Sequence, residues 1–293
     1  MIQVHLPLRD RLTVIEGDAQ MVLKSLPDRC IQAVVTSPPY WGIRDYNVAG
    51  QVGSEPILND YIRRLLAIFS EIRRLLKDTG VVWLNIGDVY ASGNRKYRAP
   101  DAKYSQRALQ NRPATPKGLK PKDLLGIPWR VAFALQRRGW YLRTEVVWNK
   151  FNAMPESVRD RPSRCHEYIF LLTKSERYRF SRTRLEDGNS GVRRTVWDIR
   201  TGRSRLNGHH AAFPEALVRP CVIASTYKDD LVLDPFCGTA TVGRVCVELQ
   251  RRFIGIELNP RYARAAAKSL GSNALVFTIR SNRVGDGFGL ARK

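Results

Sequence analysis

The sequence predicts an α/β fold: a doubly wound, mostly parallel, Rossmann-like sheet of about seven strands with helices on both faces. Three observations predict it. Short apolar runs such as Ile31–Val35, Val81–Ile86 and Leu231–Leu233 have the length and the Val/Ile/Leu content of strands buried on both faces. Between them lie stretches whose apolar residues recur at helical spacing. Several runs also end in a glycine or an acid, as at Gly17-Asp18, Gly87-Asp88 and Asp234. Such punctuation marks the carboxyl end of a strand, the edge at which open α/β sheets bind ligands.

Composition bounds the function classes. The chain has 293 residues, enough for a large core, and its 43% hydrophobic and 26% charged content is that of globular material. Lys and Arg number 49 against 27 Asp and Glu, a formal net charge of +22. Self-repulsion on that scale points to a polyanionic partner, with a merely basic soluble protein as the alternative. No apolar run approaches the ~20 residues of a membrane helix. Met1-Ile2-Gln3-Val4 opens no secretory signal, so a cytoplasmic protein is expected. The five cysteines are scattered without a Cys-x-x-Cys pair and read as reduced core thiols. The four histidines lack ligand spacing, and no metal site is predicted.

In chain order, Leu12–Glu16 is a short strand, and Ala19–Leu26 a helix whose first turn Asp18 either caps or leaves open to accept from a ligand amine. Ile31–Val35 is the next strand. Tyr61, Ile62, Leu65, Leu66, Phe69, Ile72, Leu75 and Leu76 then recur at helical spacing, with arginines opposite, up to a stop near Asp78-Thr79-Gly80. Val81–Ile86 follows as a strand, completing a parallel unit. From Ser92 to Lys122 the periodicity vanishes. Arg95, Lys96, Arg98, Lys103, Arg107, Arg112 and Lys117 crowd a segment that is either a DNA-contacting loop or a solvated linker. Asp123–Arg138 is helical, Trp140–Trp148 and His166–Thr173 are strands, and Arg177–Ser181 is a candidate to pair with the latter. A second basic, turn-rich stretch, 182–207, carries Arg193, Arg194, Arg203 and Arg205 around Trp197. Arginine reads guanine edges bidentately, which makes this another candidate for base recognition.

Leu231–Asp234 is a strand, Pro235–Gly243 a tight glycine turn entering a helix to about Gln250, and Phe253–Glu257 a strand ending in an acid before a helix starting at Asn259-Pro260. A carboxylate about 20 residues beyond a glycine turn is how doubly wound folds hold a ribose. The turn has Gly238 and Gly243 but Phe236 where a phosphate binder wants a small residue, while Asp234 suits a cation. A nucleoside joined to a cationic amino-acid end fits both, and S-adenosylmethionine is such a molecule.

Thr36-Ser37-Pro38-Pro39-Tyr40-Trp41 sits at the end of the Ile31–Val35 strand. Two prolines remove two donors and leave carbonyls free to accept. With the Ser37 hydroxyl and the Tyr40 ring they suit a flat molecule bearing an amino group. Continued through Gly42 and Arg44-Asp45-Tyr46, the string resembles the catalytic motif of the beta group of DNA amino-methyltransferases. Asn152, Pro155 and His166-Glu167 resemble later motifs of that family. Asp-Pro-Phe-Cys-Gly-Thr-Ala-Thr-Val-Gly, 234–243, is similar to its methionine-binding motif, and His209–Leu217 to its cofactor-capping segment. The catalytic motif precedes the cofactor motif, the permuted order of the beta group.

The resemblance implies one domain over 1–293. Its parts are a catalytic half (12–90), a basic DNA-contacting loop (92–122), later strands (123–181), a short target-recognition region (182–207) and a cofactor half (209–280). It implies catalytic roles for Ser37, Pro38, Pro39 and Tyr40, and cofactor contacts from Asp18, His209, Phe213, Asp234, Phe236, Gly238, Thr239, Thr241 and Glu257. Phe213 reads equally as core. The implied reaction moves a methyl group from S-adenosylmethionine to the exocyclic amine of a base flipped out of duplex DNA, with Tyr40 stacked on the base and Cys237 no nucleophile. Ser-Pro-Pro-Tyr favours cytosine N4, with adenine N6 as the alternative. An RNA methyltransferase and an inactive nucleic-acid-binding module are rivals from other classes. The resemblance leaves room for a homodimer and for a companion restriction endonuclease.

Overall fold

The computed structural model describes residues 11–91, 113–185, 194–202, 213–272, 274–279 and 290–292. Through them the elements run in the order β1 (Leu12–Glu16), α1 (Ala19–Ser25), β2 (Ile31–Thr36), α2 (Leu58–Leu75), β3 (Leu76–Ile86), α3 (Ile127–Arg137), β4 (Tyr141–Asn149), β5 (His166–Thr173), β6 (Val196–Asp198), α4 (Glu215–Ser225), β7 (Leu231–Asp234), α5 (Thr241–Glu248), β8 (Arg252–Glu257), α6 (Pro260–Leu270), β9 (Ala274–Ile279) and β10 (Leu290–Arg292). One sheet holds all the strands in the order β10-β9-β1-β8-β7-β2-β3-β5-β4-β6. From β9 to β3 the six neighbours are parallel, and β5 then runs against both β3 and β4. The expected Rossmann-like, mostly parallel sheet is present. It has ten described strands instead of about seven, because β6 and β10 are three-residue strands, too short to show a period, and β9 was not predicted.

Alternate residues of the central strands enter two separate cores. Val34, Val82 and Leu84 pack with α1, α2 and α3 on one face, and Val35, Val81 and Trp83 with α4, α5 and α6 on the other. This is the two-residue period of a strand buried on both sides. The helix α2 shows the complementary period, burying Leu58, Tyr61, Leu65, Ile68, Phe69, Ile72 and Leu75. Each such side chain contributes about 1.5–3 kcal/mol by leaving water. Of the cysteines, Cys221, Cys237 and Cys246 are buried, Cys30 is partly buried, and Cys165 is exposed, not in the core as expected. No helix among the described residues is long and apolar enough to cross a membrane.

The helix expected over Asp123–Arg138 spans only Ile127–Arg137, and one boundary and one strand pairing also differ from expectation. The stop near Asp78-Thr79-Gly80 is a bulge inside β3, whose pairing jumps from Ile31/Leu76 to Ala33/Val81. The fully buried Gln32 fills the gap, its amide donating to Thr79 O at 3.1 Å and its carbonyl accepting from Thr79 Oγ1 at 3.3 Å. The segment 177–181 does not pair with β5, because β3 and β4 already occupy both of its edges. Its amides go elsewhere, Arg179 N to Thr79 O at 2.9 Å and Ser181 N to Ala224 O at 2.8 Å.

Because β5 is antiparallel, its first residues lie on the same sheet edge as the last residues of its neighbours. Asn149 pairs with His166, Trp148 with Glu167, and Ile86 with Tyr168. Glu16, Thr36, Ile86, Asn149, Asp234 and Glu257 therefore end strands on one edge, and Glu167 joins them from the opposite direction.

Candidate active site

A cleft opens on that edge, walled by Gly17 and Asp18 after β1, Ser37 and Pro39 after β2, Tyr46–Val52 from the long loop before α2, Phe213, Asp234–Gly238 with Thr241, and Ile256–Asn259 with Tyr262. Asp234 and Glu257 supply its charge. Asp234 accepts from Thr36 Oγ1 at 2.7 Å and from Phe236 N at 3.1 Å. Burial nevertheless pushes its carboxyl up to about 7, against the pull of those two donors. Glu257 accepts from Gly238 N at 2.9 Å and Asn259 N at 2.8 Å, and burial raises it to about 7 as well, with Asp234 adding repulsion. Neither acid has a salt-bridge partner among the described residues. A cationic ligand would complete both.

The loop between β7 and α5 is wound tightly, with Gly238 at φ 53° and Ala240 at φ 60° in the left-handed region. Phe236 and Gly238 face the cleft, as does Thr241 at the first turn of α5. Thr239 is not on the cleft lining, and its carbonyl accepts from Arg244 at 2.9 Å and Ser269 at 3.1 Å. Cys237 is 5% exposed, and burial drives its thiol well above the ordinary range, as suits a packing residue and not a nucleophile. Asp18 does cap α1, through Met21 N at 3.1 Å, while its other oxygen pairs with Arg64 at 3.2 Å and the residue still lines the cleft. Phe213 is both core and wall, 8% exposed and on the lining.

The stretch expected to be catalytic, Ser37–Tyr40, divides. Ser37 and Pro39 line the cleft, but the Pro39 carbonyl is not free as expected: the buried Tyr61 hydroxyl donates to it at 3.0 Å. No described donor reaches the Pro38 carbonyl. Tyr40 is not among the cleft-lining residues. Its ring lies against Gly87, where an added Cβ would come within 2.6 Å of Cε2, and its hydroxyl joins a polar chain under the sheet edge. Ser37 Oγ donates to Tyr40 Oη at 3.3 Å, and Tyr40 Oη lies 2.6 Å from Glu167 Oε2 and 3.3 Å from Asn85 Oδ1. The Asn85 amide donates to the same Glu167 oxygen at 3.0 Å, and the Lys150 ammonium contacts Oε1. Burial first, and the Glu167 charge second, raise the Tyr40 phenol well above its ordinary range, so it keeps its proton.

Sequence reasoning missed several of these residues. Tyr46, Gln51 and Asn259 are tied into one wall, Tyr46 N donating to Gln51 Oε1 at 2.7 Å and the Asn259 amide to Tyr46 O at 3.1 Å. Tyr46 lies inside the catalytic string, and Asn259 reads from the sequence only as a helix start. Lys150 carries no signal beyond ending a strand. Of the predicted DNA contacts, Lys117 and Arg194 are exposed. Arg95, Lys96, Arg98, Lys103, Arg107, Arg112, Arg193, Arg203 and Arg205, with His209, lie outside the described residues.

Known proteins resemble this chain along most of its length. The N6/N4 methyltransferase family model, described as DNA methylase, matches residues 31–268. The Type II methyltransferase M.Cfr9I of Citrobacter freundii is 54% identical over 262 residues, 88% of this chain and 87% of that protein. The Type II methyltransferase M.SmaI of Serratia marcescens is 51% identical over 263 residues, 88% of this chain and 90% of its own. Among solved structures, TTHA0409 of Thermus thermophilus, complexed with S-adenosyl-L-methionine, superposes with a TM-score of 0.64 at 24% identity, covering 90% of this chain and 97% of that one. The cytosine-N4-specific PvuII DNA methyltransferase gives a TM-score of 0.68 at 21% identity, with 89% and 86% covered. With the family model spanning most of its length and close relatives along nearly all of it, the chain belongs to the N6/N4 DNA methylase family of Type II methyltransferases.

Proposed function

We propose that this enzyme methylates the exocyclic N4 of a cytosine flipped out of a specific duplex DNA site. The cofactor is S-adenosylmethionine, which when bound supplies the methyl group as an electrophile. The observation that carries the reading is the place of Ser37, on the cleft wall with Asp234, whose carboxylate is bonded to the preceding residue, Thr36. The residues proposed to hold the cofactor are Asp18, Phe213, Asp234, Phe236, Gly238, Thr241 and Glu257, with Tyr46 and Asn259 added from the cleft. Two buried acids without cation partners fit a cationic nucleoside.

An exocyclic amine is a weak nucleophile because its lone pair is delocalised into the ring. Hydrogen bonds from its N–H groups to Ser37 Oγ and the Pro38 carbonyl favour a pyramidal nitrogen and release that pair. Cytosine is favoured because the motif begins with serine and because the PvuII enzyme, cytosine-N4-specific, shares the fold. Adenine N6 is the second reading, since the family model spans both amines. Methylated plasmid digested to nucleosides decides: N4-methylcytosine supports the proposal, and N6-methyladenine alone replaces it with the second.

Bases would be read by the basic segments 92–122 and 182–207. A companion restriction endonuclease, a cytoplasmic location and a homodimer belong to the same proposal, the first supported by the Type II designation of the relatives. Sedimentation of the purified chain tests the dimer.

A further inference from the structure

Ser37 stands between the cleft and a chain of groups that the cofactor does not need. The direction of each hydrogen bond in that chain is set by valence together with distance. The Glu167 carboxylate takes the Lys150 ammonium on one oxygen, and the Asn85 amide at 3.0 Å with the Tyr40 hydroxyl at 2.6 Å on the other. Tyr40 Oη faces two acceptors, the Glu167 carboxylate at 2.6 Å and Asn85 Oδ1 at 3.3 Å, and the nearer, charged one takes its single hydrogen. The Tyr40 oxygen is then left to accept, and Ser37 donates to it at 3.3 Å. The single Ser37 hydrogen is thereby committed to Tyr40, and toward a substrate amine Ser37 can only accept.

We infer that this chain is the exit path of the proton that methyl transfer releases, running from Ser37 Oγ through Tyr40 Oη to the Glu167 carboxylate. The inference rests on the amino-methyl transfer proposed above. As the new N–C bond forms and the C–S bond breaks, its electron pair staying on sulfur, the target nitrogen holds one proton too many. That proton passes to Ser37 Oγ as the serine proton moves to Tyr40 Oη and the tyrosine proton to Glu167 Oε2. Serine and tyrosine end unchanged, and the carboxylate ends neutral. No tyrosinate forms, which suits a phenol held protonated in a buried site. Lys150, 19% exposed, and Glu167, 14% exposed, stand where the chain meets solvent and can return the proton to water. Glu167 is a relay and positioning residue; it touches neither cleft nor base.

The test combines a rate with a spectrum of the cofactor-free protein. In single-turnover methylation of duplex DNA, Glu167→Gln and Tyr40→Phe are each expected to lower the transfer rate about 100-fold, with affinities for S-adenosylmethionine and DNA unchanged. The double variant should be no slower than Tyr40→Phe, because both remove one path. In tyrosine ring-13C NMR without cofactor, Glu167→Gln should shift the Cζ resonance assigned to Tyr40. A full rate in either single variant, additive losses in the double, or an unmoved Tyr40 resonance overturns the relay. If Glu167→Gln does not fold, Tyr40→Phe alone decides by its rate. Absence of any amino-methylated base with the wild-type chain would instead sink the parent reading.

Discussion

The Thr36 hydroxyl donates to the Asp234 carboxylate at 2.7 Å, joining the strand that carries the proposed catalytic motif to the strand that carries the proposed cofactor motif, 198 residues later in the chain. The sheet makes this contact natural, since β2 and β7 are neighbours with Val34 paired to Leu233. Permuting the order of the two halves leaves the junction intact, because it depends on adjacency at the carboxyl edge and not on which half comes first.

Thr36→Val keeps the shape of a residue with no exposed surface and removes that donor. A hydrogen bond to a charged acceptor contributes about 1.5–3 kcal/mol. Asp234 would then ionise less readily and hold a cation less well. Titration calorimetry at pH 7 should show S-adenosylmethionine affinity reduced about tenfold, the lower end of that range. An unchanged affinity would mean that Asp234 does not face the cofactor cation.

Asp234 and Glu257 are each raised to about 7 in the folded protein. The sign follows from linkage. Raised acids bind protons more tightly when folded, so their contribution to stability is fully present below the unfolded values near ~4 and is lost as pH rises through about 7. A cationic ligand favours the charged carboxylates and reverses that loss. The rise in melting temperature caused by S-adenosylmethionine should therefore grow between about pH 6 and 8. Calorimetry in buffers of different ionisation enthalpy should register proton release on binding. A stabilisation that falls over this window contradicts the assignment.

Gly87 lets the Tyr40 ring lie on the backbone after β3, since a Cβ there would stand 2.6 Å from Cε2. Overpacking a filled site costs about 1–3 kcal/mol. Gly87→Ala should therefore lower the melting temperature and displace the Tyr40 hydroxyl from Glu167. Turnover should fall while S-adenosylmethionine affinity holds, because Tyr40 is apart from the cleft wall. Equal losses in both would place the ring in cofactor binding instead.

Much of this was legible in the sequence because it lies at strand ends. Asp234, Glu257 and Ser37 each follow an apolar run, so the run predicts both the strand and the address of the residue after it. The order of the helices was legible for the same reason, and the stripe from Leu58 to Leu75 declares its buried face. What escaped depends on partners distant in sequence. Lys150 and Glu167 meet only because β5 turns back antiparallel, and Tyr61 reaches Pro39 only once α2 lies under the sheet edge. Gln32 looks like one polar residue in an apolar strand, and only the bulge in β3 explains it.

The net charge of +22 makes a quantitative demand on DNA binding. Each phosphate contact releases counterions and steepens the salt dependence of the binding constant by about 0.9 in a logarithmic plot. Lys117 and Arg194 are exposed on the two basic segments whose remaining predicted contacts lie outside the described residues. If both touch phosphate, Lys117→Ala and Arg194→Ala should each reduce the slope by about one, and weaken specific and non-specific duplexes alike. Were Arg194 instead to read a guanine, its removal would leave the slope nearly intact and relax discrimination at one base pair by about 1–3 kcal/mol. Fluorescence anisotropy over a salt series, on a cognate and a scrambled duplex, separates these outcomes. A slope and a specificity both unchanged by the pair of substitutions would remove these two residues from the DNA face.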